Sequence, residues 1–267
     1  ESRKSRLITI ALIPFMSCAG RLPIFVLLAG AFFPSHSALA LLCIYLLGVL
    51  LAILSALAMK RIIKDDDLPF VMELPPYRIP TAKAIGRHTW EKGKQYLQKM
   101  ATTILVGSMV IWALGYFPHD MSRGTEYQQE HSALGYIGKA VSPVMDPLGF
   151  SWKMDIGLLT GVVAKELVVS SLGVMYAGDE ATAAAAAAGE DLSEDTALQA
   201  ALLHNVSLPA AVAFMIFVLL YFPCIATFVA IKNETGKWSW AAGICAYTIA
   251  VAWIAAFIGF HLTAMLL

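Results

Sequence analysis

Apolar residues along this chain gather into long blocks separated by short polar ones, and block length is the first clue to its class. Ala38 to Met59 holds no charged residue. About 20 residues of helix, rising about 1.5 Å each, match the hydrocarbon layer of a bilayer, so an uninterrupted spanning helix is expected there. It ends in the basic cluster Lys60-Arg61-Ile62-Ile63-Lys64. Leu7 to Phe33 is apolar except for Arg21, but Pro14, Gly20 and Pro23 interrupt it, which predicts a broken span. Ala101 to Phe117 is a shorter span closed by Pro118-His119-Asp120. Tyr136 to Tyr176 is punctuated by Pro143, Pro147, Gly149, Gly157 and Gly161 and carries Lys165-Glu166 in its most apolar part. A re-entrant hairpin or discontinuous helix is expected there. Leu208 to Ile231 and Trp238 to Leu267 are two further spans around the turn Lys232 to Lys237.

The polar blocks complete an all-α, polytopic helical membrane domain. Residues 1–64 hold the broken helix and the second span, and 65–99 form a cytoplasmic interfacial segment. Residues 100–118 are one span. Residues 119–176 hold an outside loop and the re-entrant or discontinuous segment, 177–207 an acidic, Ala-rich outside loop that is partly helical at most, and 208–267 two final spans. Within 65–99, a proline-rich stretch leads into a basic, partly amphipathic one suited to the membrane surface.

Composition agrees with the pattern. The chain is 58% hydrophobic and 14% charged, against about 45–50% apolar in soluble domains. Nineteen basic and nineteen acidic residues cancel, so charge points to no nucleic acid partner. Nine of those basic residues fall between Lys60 and Lys99, which assigns that segment to the cytoplasm, with the Arg3-Lys4-Arg6 start and the Lys232 to Lys237 turn. Counting spans then puts the loops near Pro34 and Pro118, the acidic segment and the C-terminus outside. The chain opens Glu1-Ser2-Arg3-Lys4 with no initiating Met or leader pattern, and its start reads as an internal cut.

A charge at mid-bilayer costs about 2.5–3.5 kcal/mol on insertion scales, so each asks for a partner or a function. Arg21, Lys165 and Glu166 stand out. Lys165 and Glu166 are adjacent and point about 100° apart, so they cannot share one partner direction. Arg21 and Lys165 alternatively snorkel to an interface; Glu166 has too short a reach for that, leaving a protonated group, an ion pair or a cation site. The four cysteines form no CxxC pair and no zinc-ligand spacing. Cys18 and Cys224 follow helix-disturbing residues, and carbonyls freed by a break, beside a thiolate, suit a transition metal ion better than magnesium or calcium. The alternative is that these thiols pack as small hydrophobes, as Cys43 and Cys245 are expected to do. Phosphate-binding loops and HExxH are absent, and His36, His119, His131, His204 and His261 show no ligand spacing.

Four motifs together resemble one family. Met16-Ser17-Cys18-Ala19-Gly20-Arg21-Leu22-Pro23, Glu73-Leu74-Pro75-Pro76-Tyr77-Arg78, Gly161-Val162-Val163-Ala164-Lys165-Glu166-Leu167 and Pro223-Cys224-Ile225-Ala226-Thr227 resemble, in order, those of ferrous iron transport protein B. That resemblance implies a cytosolic GTPase upstream of a membrane region built from two gate-type repeats of inverted topology. It implies that Cys18 and Cys224 face the path of Fe2+, with Ser17 and Thr227 as oxygen donors and Glu166 as a pore carboxylate. Arg21 and Lys165 would be pore charges, and Glu73, Pro75, Pro76, Tyr77 and Arg78 part of the cytoplasmic coupling surface. The family's first pore cysteine would lie just before Glu1, and Gly20 stands where the family usually has Ala or Ser.

The expected function is therefore the membrane passage of a GTP-regulated Fe2+ uptake system in a bacterial inner membrane. No enzyme activity is expected of this chain; GTP and Mg2+ enter only through the upstream GTPase. Expected partners are the lipid bilayer, that GTPase, small cytosolic Feo proteins and further copies of the chain. The alternatives are a gate-type carrier of nucleosides or similar solutes, which would need several amide or carboxylate donors on one face, and a membrane signalling or assembly module without transport.

Overall fold

The computed structural model describes residues 3–62, 81–99, 102, 105–118, 125–176, 194–222 and 224–266. The Glu73 to Arg78 element and most of the acidic segment lie outside the described residues. Those described form helices, with no strand among them.

The first block is broken twice within ten residues. Helix α1 (Arg3–Leu12) passes into a 3-10 turn over Ile13–Phe15, a second turn covers Ala19–Arg21, and α2 (Leu22–Phe32) resumes. Pro14 and Pro23 sit in the opening positions of the turn and of α2, where a missing N–H costs nothing. Helix α3 (Ser37–Ile62) is unbroken. Leu39, Leu42, Leu46, Leu50, Ile53 and Leu57 are about half exposed along it. Their spacing of three and four residues makes one apolar stripe, and a stripe of that size facing outward belongs against lipid.

Helix α4 (Ala82–Lys99) is the amphipathic segment, with Trp90 well exposed. Helices α5 (Leu105–Tyr116), α6 (Thr125–His131) and α7 (Ala133–Met145) follow. Ser132 caps α7 by accepting from the Gly135 amide, and Lys139 donates to Glu130 at 2.7 Å. That ammonium holds the Glu130 carboxyl below the usual carboxylate range.

Tyr136 to Tyr176 is discontinuous. After a 3-10 turn over Asp146–Leu148, α8 (Trp152–Val163) runs to a break at Ala164, Lys165 and Glu166, and α9 (Leu167–Tyr176) folds back along it. The Tyr176 hydroxyl lies 3.2 Å from that of Ser151, so the end of α9 returns to the start of α8. The acidic segment ends in helix α10 (Glu194–Asn205), which meets α11 (Leu208–Leu220) at 112°.

Leu208 to Ile231 is not the single span that its composition suggests. Helix α11 stops at Leu220 and α12 (Ile225–Thr235) starts after Cys224. Ten of the thirteen residues of α11 are buried, from Ala210 to Leu220. A helix apolar on every side belongs in the centre of a bundle, and α11 packs along α13 (Trp238–Leu266), the last and longest helix. Among the described residues three helical stretches, Ile8–Phe32, Ser37–Arg61 and Trp238–Leu266, are long and apolar enough to cross a membrane, or four if the bent α10–α11 pair counts as one.

Candidate functional site: three helix breaks at one place

Each break exposes backbone groups that a continuous helix would have paired internally. At the first, Met16 and Cys18 are extended. The Arg21 side chain turns back onto this stretch, its guanidinium donating to the carbonyls of Met16 at 3.0 Å and Pro14 at 2.9 Å. Arg21 is only 3% exposed, so it does not snorkel; it clamps the break. Cys18 is exposed and Ser17 half-buried beside it.

At the second break, Ala164 is extended and Lys165 is 5% exposed. The Lys165 ammonium donates to the Val218 carbonyl at 3.4 Å and stands 3.5 Å from the centre of the Tyr221 ring. Val218 lies in the last turn of α11, where carbonyls lack helical partners and the helix dipole favours a cation. Glu166 points away and is exposed. Its carboxylate lies against Gly20, where an added Cβ would come within 3.1 Å of Oε1.

At the third break, Tyr221 and Cys224 are non-helical, and Cys224 occupies the N-cap position of α12. The Cys224 thiol lies 3.4 Å from the Thr227 hydroxyl. The Tyr221 hydroxyl donates to the Leu158 carbonyl of α8 at 3.3 Å. Gly161 makes room for this, because a Cβ there would collide with the Tyr221 hydroxyl and the Val168 side chain.

The three breaks meet. Arg21 lies within electrostatic reach of Cys18, Tyr221 and Cys224, and Lys165 within reach of Arg21, Cys18 and Cys224. Both thiols flagged by the sequence therefore gather around two buried cations, with Glu166 reached through Gly20. They do not close into a cage: among the described residues no group of three or more His, Cys, Asp or Glu side chains is placed to hold a metal ion. Cys43 faces outward on α3 and Cys245 is buried on α13, both apart from this cluster.

Two residues escaped the sequence reading. Tyr221 lies two residues before the fourth motif and opens the break there; an aromatic in an apolar run carries no signal of that role. Asp155 sits in the first turn of α8, where an acidic residue normally answers the helix dipole; nothing in the sequence signals that it is buried.

Comparison with known proteins identifies the family of the chain. The family model for the C terminus of ferrous iron transport protein B matches residues 41–92. The Gate model, described as nucleoside recognition, matches residues 97–238. A Porphyromonas gingivalis fusion of Fe(2+) transport protein A with the Fe(2+) transporter FeoB is 46% identical over 97% of the chain. The Fe(2+) transporter FeoB of Staphylococcus aureus strain COL is 39% identical over 97%, and that of Methanocaldococcus jannaschii 35% over 97%. The chain spans 34%, 36% and 37% of those three relatives' own lengths. No solved structure matches. With the gate-type model covering more than half of it and these relatives aligned along nearly all of it, the chain belongs to the ferrous iron transport protein B family, as part of its membrane region.

Proposed function

We propose that this chain forms the passage through which a GTP-regulated system takes up Fe2+. The observation that carries the reading is the meeting of three interrupted helices at Cys18, Cys224 and the Lys165-Glu166 pair. Thiols select a first-row transition ion over magnesium or calcium, and interrupted helices supply carbonyls that replace lost water. Cys18 and Cys224 act as the soft ligands, Ser17 and Thr227 as oxygen donors and Glu166 as the carboxylate. Arg21 and Lys165 supply positive charge at the same place and oppose a cation there, so the arrangement is a closed one. Uptake requires the Lys165 turn to withdraw.

GTP and Mg2+ act through a GTPase in the longer protein. Its signal is received by the basic segment between Lys60 and Lys99, including Glu73, Pro75, Pro76, Tyr77 and Arg78. The setting is a bacterial inner membrane with that segment in the cytoplasm. The Porphyromonas gingivalis relative carries a transport protein A in the same chain, which supports a small Feo protein as a partner, and further copies of the chain complete the assembly.

The test uses a full-length transporter carrying this chain, reconstituted anaerobically in vesicles. Fe2+ should protect Cys18 and Cys224 from maleimide while Cys43 labels unchanged. Cys224→Ala or Glu166→Ala should cut Fe2+ uptake and leave GTP hydrolysis intact. Normal uptake in both variants would refute the passage.

A second reading has one observation behind it. A cavity of about 440 Å3 is walled mostly by apolar side chains such as Ile111, Leu134 and Val174, with Ser108 and Ser170 among its few polar groups and the Trp112 and Tyr116 rings as a surface on which a nucleobase could stack. Uridine uptake by the same vesicles, unaffected by Cys224→Ala, would favour it.

A further inference from the structure

Every described side chain of α4 is exposed. At about 100° per residue, Ile85, Gly86, Thr89, Trp90, Gly93 and Leu97 fall within one arc of about 140° that holds no charged residue. Trp90 and Leu97 are 74% and 66% exposed, and a Cβ added at Gly86 or at Gly93 would meet nothing within 4 Å. That face is bare. Beside its Trp90 edge, Lys83, Arg87 and Lys94 lie within about 40° of one another, and the helix sets five basic residues against the single acid Glu91. Its end is also tethered. Helix α5 begins at Leu105, and Val106, Met109, Val110 and Trp112 on it are more than half exposed, an apolar surface that belongs against lipid. The six Cα steps from Lys99 to Leu105 reach at most about 20 Å, which keeps the end of α4 near the bilayer surface.

We propose that α4 lies in the headgroup layer of the membrane with its bare face towards the acyl chains, and that Lys83, Arg87 and Lys94 bind the phosphates of anionic lipids. A helix with one uncharged face, a strongly basic opposite face and an exposed Trp matches the pattern of helices that lie in the interface plane. Lipid charge decides the matter, because Ile85, Trp90 and Leu97 are the only large apolar side chains described on the bare face and hold weakly to a neutral surface. The basic side chains lay their apolar stems along the interface and carry their charges up to the phosphates, where each cation is drawn by an anionic surface over about a Debye length. With its cations engaged by lipid, α4 is not the part of the basic segment that meets the GTPase; that contact falls to the stretch ahead of it.

The inference needs only a membrane setting for the chain, so a failure of Fe2+ uptake leaves it standing. The test places a full-length transporter carrying this chain in nanodiscs of phosphatidylcholine alone or of an equal mixture with phosphatidylglycerol, and follows hydrogen–deuterium exchange of the peptides covering 82–99. Exchange should be at least about tenfold slower in the mixture, and the difference should shrink at high salt. The triple variant Lys83→Gln, Arg87→Gln, Lys94→Gln should exchange in the mixture as wild type does in neutral lipid. Gly93→Glu puts a carboxylate on the bare face while improving helix propensity, and it should abolish the slowing. Gln95→Glu adds the same charge on the opposite face and should keep most of it. Exchange equally slow in neutral lipid, or slowing that follows bound nucleotide rather than lipid, would show that α4 docks on protein and overturn the proposal. Fast exchange in both lipids, slowing that survives the triple variant, or equal losses in Gly93→Glu and Gln95→Glu would overturn it as well.

Discussion

The Lys165 ammonium stands 3.5 Å above the centre of the Tyr221 ring and so joins the break between α8 and α9 to the break between α11 and α12. A desolvated cation–π pair is worth about 2 kcal/mol, and this one also places a positive charge beside Cys18 and Cys224. Lys165→Met keeps most of the volume and removes the charge. It should raise Fe2+ flux in vesicles when GTP is withheld, because the opposing charge is gone. Tyr221→Phe retains the ring and should behave close to wild type, whereas Tyr221→Leu should leak. Flux without nucleotide, measured on the three variants, checks the assignment; a Lys165→Met protein as tight as wild type would exclude Lys165 as a barrier.

Arg21 leads to a prediction about stability. Its guanidinium satisfies two carbonyls that the first break frees, at 3.0 and 2.9 Å. Arg21→Met leaves both without a donor in a buried place, which should cost about 2–4 kcal/mol. Arg21→Lys brings one compact ammonium in place of a planar fork and should recover only part of that loss. Thermal unfolding in detergent should rank wild type above Arg21→Lys and Arg21→Lys above Arg21→Met.

Gly161 tests the packing of α8 against the Tyr221 turn. A methyl group there collides with the Tyr221 hydroxyl and with Val168, and overpacking of this kind costs about 1–3 kcal/mol. Gly161→Ala should therefore lower the unfolding temperature. Combining it with Tyr221→Phe, which removes one of the colliding atoms, should restore part of the loss. Additive losses in the double variant would show that the two side chains do not meet.

Much of this arrangement was legible in the sequence, because membrane helices announce themselves by composition. Ser37–Ile62 and Trp238–Leu266 are uniformly apolar, and Pro14, Pro23 and the glycines of the α8 region marked breaks. What the residue string does not carry is which partner rescues each break. Arg21 and Lys165 were compatible with snorkelling until their burial was known. Pro223 is compatible with a kink in one long span, as the apolar run from Leu208 to Ile231 suggests; the chain instead separates α11 from α12, with Lys165 at the freed end of α11. Asp155 was invisible for a different reason. In sequence it is an ordinary first-turn acid, and only the packing of α7, α11 and α13 around it buries it.

Gly20 offers a way to perturb Glu166 without changing it. A Cβ at Gly20 would lie 3.1 Å from Glu166 Oε1 and 3.5 Å from Lys165 Cβ. Alanine is accommodated by a shift of a few tenths of an ångström of the carboxylate end, which is exposed and free to move. Valine adds two further methyl groups and must push the carboxylate aside. If Glu166 is a ligand on the ion's route, Gly20→Val should weaken the apparent affinity for Fe2+ by about three- to tenfold while Gly20→Ala changes it little. Uptake measured against Fe2+ concentration separates the cases. A ligand displaced from its place raises the half-saturating concentration first, whereas damage to the fold lowers the maximum rate and the unfolding temperature together. Glu166→Gln in the Gly20→Val background should add little further loss, since the carboxylate has already been moved; full additivity of the two changes would mean that Gly20 acts through something other than Glu166.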